Sequence, residues 1–193
     1  RQAASPQAAV ITGEIRGTTA ATLTAVRDGE LGLPLDGVYA EEIGDLRARG
    51  RGLTEVGLFA DRREDMGRSL SALLGLMRFS FHYAALDPMP TVVIGVHPHH
   101  AGFYERLIGF ETIGETRTYA SVNDRLVTLL KLDIEERSNA PPVPRGLTFF
   151  LRNPVAPREF DNRLPFSAEI LHSPPLSEYL AYKLGGRPDP RSP

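Results

Sequence analysis

Residues 91–110 read TVVIGVHPHHAGFYERLIGF, and this stretch decides the fold. Its first six residues are uncharged and, apart from Gly95, β-branched. That is the composition of a strand buried on both faces of a sheet. Pro98 bends the chain, a short helix is expected from about Ala101 to Ile108, and Gly109 is a good helix stop. Three of the chain's five histidines, His97, His99 and His100, lie at the bend. In an extended stretch His97 and His99 point to one side and His100 to the other, so three ligands cannot converge unless Pro98 rearranges them. No His-Glu-x-x-His spacing is present. The cluster therefore reads first as a strand–helix junction, with His100 a candidate helix cap.

Working outward, LTEVGLFAD (53–61) is a short, mostly apolar strand followed by a polar turn at 62–67. In MGRSLSALLGLMRFSFHYAAL (66–86), Leu70, Leu73, Leu74, Met77 and Phe81 recur at spacings of three and four. This is an amphipathic helix whose stripe reads as core before it reads as a lipid pocket. Asp87-Pro88 and Pro90 end it. Strand, long helix, strand in succession requires a parallel, right-handed crossover. Upstream, segments 8–17 and 19–34 read as antiparallel strands, with a turn signal at Asp28-Gly29, and a helix is expected over Glu41–Arg49, stopped by Gly50. Downstream, ETIGETRTYAS (111–121) and RLVTLLKLDIE (125–135) read as a hairpin turning at Asn123-Asp124. The expected class is α/β, a central mixed sheet with helices on its faces.

The chain has 193 residues, enough for one core with an extension. The core is expected over 1–137, followed by a Pro-rich linker from 138 and an extension to 193 that packs on the core. Within the extension LTFFLRNP (147–154) is expected as a further strand and residues 173–186 as a capping helix. Net charge is -2 with no basic stripe, which removes the electrostatic argument for nucleic acid. With no cysteine, disulfides, thiolate-bound metals and thiol nucleophiles are excluded. No run approaches the roughly 20 apolar residues of a membrane span, no signal peptide is evident, and a cytoplasmic protein is expected. The chain opens at Arg1 in strand-like sequence, so an upstream part is expected to be missing.

The order of elements, TEVGLFAD before the long helix, the segment 91–111 and the closing hairpin together resemble the GCN5-related N-acyltransferase superfamily. A closer resemblance is to its N-acyl amino acid synthase branch. That branch carries a P-x-H-x-x-F-Y-x-x-x-x-G-F stretch, matched by Pro98, His100, Phe103, Tyr104, Gly109 and Phe110. It also carries G-L-P-x-[DE], matched by Gly32, Leu33, Pro34 and Asp36. The resemblance covers roughly residues 8–137. It implies transfer of a long-chain acyl group from a thioester to the amino group of an amino acid. It departs where the superfamily holds the CoA pyrophosphate with [RQ]-x-x-G-x-[GA]. This chain reads DRREDMGRSL there, with Gly67 the remnant. The loop suits a donor carried on acyl carrier protein better than acyl-CoA. The superfamily's first strand and two early helices are not visible. No tightly bound cofactor is expected, only the acyl-thioester co-substrate.

Direct acyl transfer needs a base for the amine, donors for the thioester carbonyl and an acid for the thiolate. Glu55 is the candidate base, an acid in an apolar strand at the position where the superfamily places a catalytic glutamate; alternatively it pairs with Arg49 or Arg51. Tyr104 is the candidate acid, or an amphipathic packing residue whose hydroxyl is tied to backbone. His97, at the end of its strand, is a candidate acceptor contact or proton shuttle, or a satisfied junction histidine. Gly57, Leu58, Phe59 and Ala60 are expected to form a strand bulge whose N–H groups bind the acyl carbonyl and pantetheine. Arg63, Gly67 and Arg68 are expected at the donor phosphate, on the N-terminus of the long helix. Phe149, Phe150, Phe160, Phe166, Tyr179 and Tyr182 either roof an acyl tunnel or anchor the extension. An acetyl-CoA-dependent amine acetyltransferase and a non-catalytic carrier-binding domain are the alternative readings.

Overall fold

The computed structural model describes residues 8–15, 17–61, 70–119 and 124–160. Contacts divide the chain into a compact unit over Gln2–Pro157 and a second unit that begins at Arg158. The described residues of the second unit, from Arg158 to Phe160, belong to the 3-10 turn Pro157–Phe160. The first unit holds the strands and helices.

The first two strands, β1 (Ala8–Ile15) and β2 (Thr18–Arg27), pair antiparallel as expected. Their turn lies at Gly17, and Asp28-Gly29 terminates β2 rather than joining the hairpin. Helix α1 (Asp36–Ala48) starts five residues before its expected first turn at Glu41. The early start comes from the Asp36 carboxylate, which accepts the Leu33 N–H at 2.7 Å. The non-helical backbone of Tyr39 (φ -125, ψ 41) then breaks the helical periodicity that marks such an element in sequence.

Strand β3 (Gly52–Asp61), helix α2 (Leu70–Ala84) and strand β4 (Pro90–Val96) form the crossover, with β3 and β4 parallel. Helix α3 (Pro98–Ile108) begins at Pro98 itself. Pro98 occupies the first turn, where its missing N–H costs nothing. The cap is His97, not His100: its Nδ1 lies 3.4 Å from the His99 N–H. Gly109 ends α3 at φ 95, ψ 25, a left-handed conformation that favours glycine.

The expected last hairpin divides. Strands β5 (Glu111–Thr112) and β6 (Arg117–Tyr119) pair separately with β7 (Arg125–Asp133). Between them Gly114 passes beneath the Tyr39 ring, where a Cβ would sit 2.7 Å from Cε1, so the edge strand is interrupted. Among the described residues the sheet runs β1-β2-β3-β4-β7-β5, with β6 also on β7.

Two helices follow, α4 (Ile134–Asn139) and α5 (Arg145–Arg152). The second corrects the expected strand LTFFLRNP. Gly146, Leu147 and Phe150 fall on one face and are buried, a helical spacing, while Phe149 and Leu151 are exposed. Gly146 lets α5 meet α3 closely, because a Cβ there would lie 2.7 Å from the Leu107 carbonyl oxygen. The expected capping helix at 173–186 lies outside the described residues.

Side chains of the sheet alternate between two apolar layers. One packs Val26, Leu53, Val93 and Leu129 against Tyr39, Ile43 and Leu46 of α1. The other packs Val56, Val92, Ile94 and Leu130 against α2, α3 and α5. The helices therefore cover both faces, as a mixed α/β sheet of this class requires.

Candidate active site

Parallel pairing of β3 and β4 runs from Gly52–Pro90 to Glu55–Val93, and beyond Glu55 no pair joins these two strands. At the same point β3 turns irregular. Gly57 pairs with Thr24 and Ala60 with Thr22, so Leu58 and Phe59 together face Leu23. Two residues opposite one is a bulge, which leaves backbone N–H groups outside the ladder. Thus the sheet opens where the expected carbonyl-binding segment 57–60 lies. Phe59 and Ala60 are exposed there.

Glu55 stands at the last paired position and is 8 % exposed. Alternation along β3 turns it toward α1, with Leu53 on the same face. Its Oε2 accepts the Leu35 N–H at 2.8 Å. Burial pushes its pKa up to about 8; the Leu35 hydrogen bond opposes the shift and the Asp36 charge adds to it. The alternative pairing with Arg49 or Arg51 is not what the structure shows: Arg51 bridges Asp133 and Glu136. A carboxyl poised near neutrality in a buried site is suited to accept a proton.

The segment that meets Glu55 is GLPLD, residues 32–36. Asp36 and Asp28 both bind the Arg47 guanidinium, at 2.7 Å and 2.6 Å. Tyr119 donates its hydroxyl to the Pro34 carbonyl at 3.1 Å. Arg117 donates to the Val38 carbonyl at 2.8 Å and stacks over the Tyr39 ring. Sequence reading picked out GLPLD by resemblance, but these contacts join residues up to 85 positions apart, and nothing local announces them.

Tyr104 lies on the other side of the sheet. It belongs to the apolar layer beneath α2, edge-on to Phe103 and Phe110 at 5.2 and 6.0 Å between centroids. Burial raises its pKa, so the phenol stays protonated and can donate. Among the described residues its hydroxyl has no hydrogen-bond partner, unlike a phenol tied to backbone. Glu55 and Tyr104 are thus not neighbours on one face. They can serve one reaction only through the gap that opens beyond Glu55 and Val93.

His97 is exposed at the end of β4 and stacks on His99 at 5.1 Å. Among the described residues no group of three or more His, Asp or Glu side chains could hold a metal. Arg63, Gly67 and Arg68 lie outside the described residues, and so does the side chain of Leu58. A small apolar cleft with about 10 Å3 of free room lies on the α2 side of the sheet, lined by residues including Val56, Val92, Met77, Phe81, Phe110 and Phe150. Phe150, from α5, is part of this lining and packs on Phe81 at 5.4 Å between centroids. No helix among the described residues is long and apolar enough to cross a membrane.

The fold itself is also found by comparison with known proteins. FeeM, an N-acyl amino acid synthase from uncultured soil microbes, superposes with a TM-score of 0.65 at 28% identity, covering 72% of this chain and 80% of its own. An uncharacterised protein from Bacillus halodurans shares the fold (TM-score 0.51, 12% identity, 77% and 68% covered). A CoA-dependent acyl-homoserine lactone synthase does so too (TM-score 0.50, 9% identity, 79% and 78% covered). No curated protein sequence matches. The family described as "N-acyl amino acid synthase FeeM" matches residues 1–133, through the end of β7. The chain belongs to that family, and it is an N-acyltransferase with the GCN5-related fold.

Proposed function

We propose that the enzyme moves a long-chain acyl group from an acyl carrier protein thioester to the amino group of an amino acid, giving an N-acyl amino acid. The observation that carries this reading is the buried Glu55 carboxyl at the point where β3 and β4 part. As the acceptor amine attacks the thioester carbon, Glu55 takes the proton from nitrogen. N–H groups of the bulge from Gly57 to Ala60 hold the carbonyl oxygen while it carries negative charge. The C–S bond breaks, and Tyr104 gives its proton to the departing sulfur. His97 faces the acceptor side of the exit from β4, and Arg63, Gly67 and Arg68 meet the donor's phosphate. No covalent acyl-enzyme is needed.

The carrier-bound donor is supported by the degenerate loop DRREDMGRSL, which offers a poor seat for a nucleotide pyrophosphate. The cytoplasm, where such carriers work, is the setting that goes with it. A second reading rests on the cleft: its free room of about 10 Å3 is too small for an acyl chain, so a long chain seated there would displace Met77, Phe81 or Phe150. A short acyl group on CoA needs no such movement.

The test presents acyl carrier protein and CoA thioesters of two to sixteen carbons to the enzyme with a panel of amino acids, and reads amide products by mass spectrometry. Long-chain N-acyl amino acids formed from the carrier protein are expected. Turnover of acetyl-CoA with an amine, and of nothing longer, would replace this reading by the second one.

A further inference from the structure

We propose that Arg47 is a positioning residue for Glu55: by clamping Asp28 and Asp36 together it holds the Leu35 N–H on the Glu55 carboxyl and keeps the Asp36 charge compensated. The inference deepens the reading above and rests on Glu55 being the base.

The clamp is built from both ends of one loop. Asp28 follows β2 and Asp36 opens α1, and between them run Gly29 to Leu35. Arg47, in the last turn of α1, reaches back to both. Its Nε and Nη2 donate to Asp28 at 2.6 and 2.8 Å. Its Nη1 and Nη2 donate to Asp36, both at 2.7 Å. A planar guanidinium suits this double fork, and a lysine ammonium does not. Asp36 in turn accepts the Leu33 N–H. Two residues on, Leu35 donates its N–H to Glu55 at 2.8 Å. The chain of contacts from Arg47 to the Glu55 carboxyl therefore runs through Asp36 and the loop, and no hydrogen bond or ion pair joins Arg47 to Glu55 among the described residues.

The charges that face Glu55 are few. From α1 comes Asp36, whose carboxylate Arg47 offsets. Its row on β2 and β4 is filled by Val26 and Val93, which carry no charge. On the same face of β7 stand Lys131 and Asp133, paired with each other, and Asp133 also with Arg51. On β6, Arg117 pairs with Glu42 of α1. Asp36 is the charge that acts on Glu55, and its ion-pair partner is Arg47. Removing Arg47 leaves that charge beside Glu55 and frees the loop that supplies the Leu35 hydrogen bond. Both changes disfavour the ionised carboxylate, so the base ionises at higher pH.

The experiment measures kcat/KM against pH, with one donor and one acceptor throughout, for wild type, Arg47→Met and the double variant Arg47→Met/Asp36→Asn. Arg47→Met is expected to move the ascending limb upward by about one pH unit, about a tenfold loss below the limb, with rates at the high-pH plateau largely kept. Asp36→Asn in that background should bring the limb back toward wild type. A merely structural arginine would lower the plateau or the melting temperature and leave the limb in place. Arg47→Lys, which keeps a cation without the fork, is expected to move the limb the same way by less, and it decides the matter if Arg47→Met does not fold. A limb that stays put in the folded variant, or one that Asp36→Asn does not restore, overturns the clamp. Should Glu55→Gln retain full activity, the base assignment fails instead, and the two failures are distinct.

Discussion

Burial pushes the pKa of the Glu55 carboxyl up to about 8, well above the ordinary carboxylate range. This has a consequence for stability as well as for rate. In the unfolded chain the same group ionises near its ordinary value of about 4.3. Between those two values the folded state binds a proton that the unfolded state has released, so stability falls as pH rises through that window. Melting temperature measured from pH 5 to pH 9 should decline up to about pH 8 and level off above it, and Glu55→Gln should flatten the decline. In the proposed reaction Tyr104 protonates the departing sulfur. Tyr104→Phe keeps the ring in its apolar seat and removes the acid, so kcat should fall about 100-fold with the melting temperature nearly unchanged. Rates with a thioester of lower leaving-group pKa should suffer less. Glu55 was legible in sequence because an acid in an apolar strand demands an explanation. Its hydrogen bond was not, since a backbone N–H leaves no trace in residue type. Nor was the face of Tyr104, which depends on how α3 lies over the sheet.

Among the elements, the crossover β3–α2–β4 was the most legible, because uncharged β-branched runs and a three-four stripe leave few other solutions. Helix α5 was misread: LTFFLRNP is rich in residues that suit strands, and its helical face emerges only once Gly146 is seen against Leu107. The same helix supplies the 1 % exposed Phe150 to the layer beneath α2. Phe150→Ala should therefore cost about 3–5 kcal/mol of stability, read by denaturant unfolding, whereas Phe149→Ala on the exposed face should cost little. Gly109 is the other sensitive point. At φ 95, with a Cβ falling 2.7 Å from Arg137 Nε and 2.9 Å from Pro144 Cγ, Gly109→Ala should cost more than the roughly 1–2 kcal/mol of the left-handed conformation alone. The Pro98 bend read as a break in sequence, yet proline at the first turn starts α3 and sets Tyr104 in the second.

Over the whole molecule, the architecture separates the two halves of the chemistry. The α1 face carries Glu55, the proposed base, and the α2 face Tyr104, the proposed acid, and the pairing of β3 with β4 ends at Glu55 and Val93 between them. Order of elements was enough to expect the mixed sheet, since a parallel crossover admits few topologies. The gap was not legible, because it is the absence of hydrogen bonds between two well-formed strands. The central claim is that Glu55 removes the amine proton across this gap. Its most direct test is the rate of N-acylation by wild type and Glu55→Gln from pH 6 to pH 10, with one amino acid acceptor. The wild-type kcat/KM should climb through about pH 8, and Glu55→Gln should fall at least about 100-fold and lose that limb, keeping only the dependence set by the acceptor's own amine. A Gln variant that acylates at the wild-type rate, with the same limb, would contradict it.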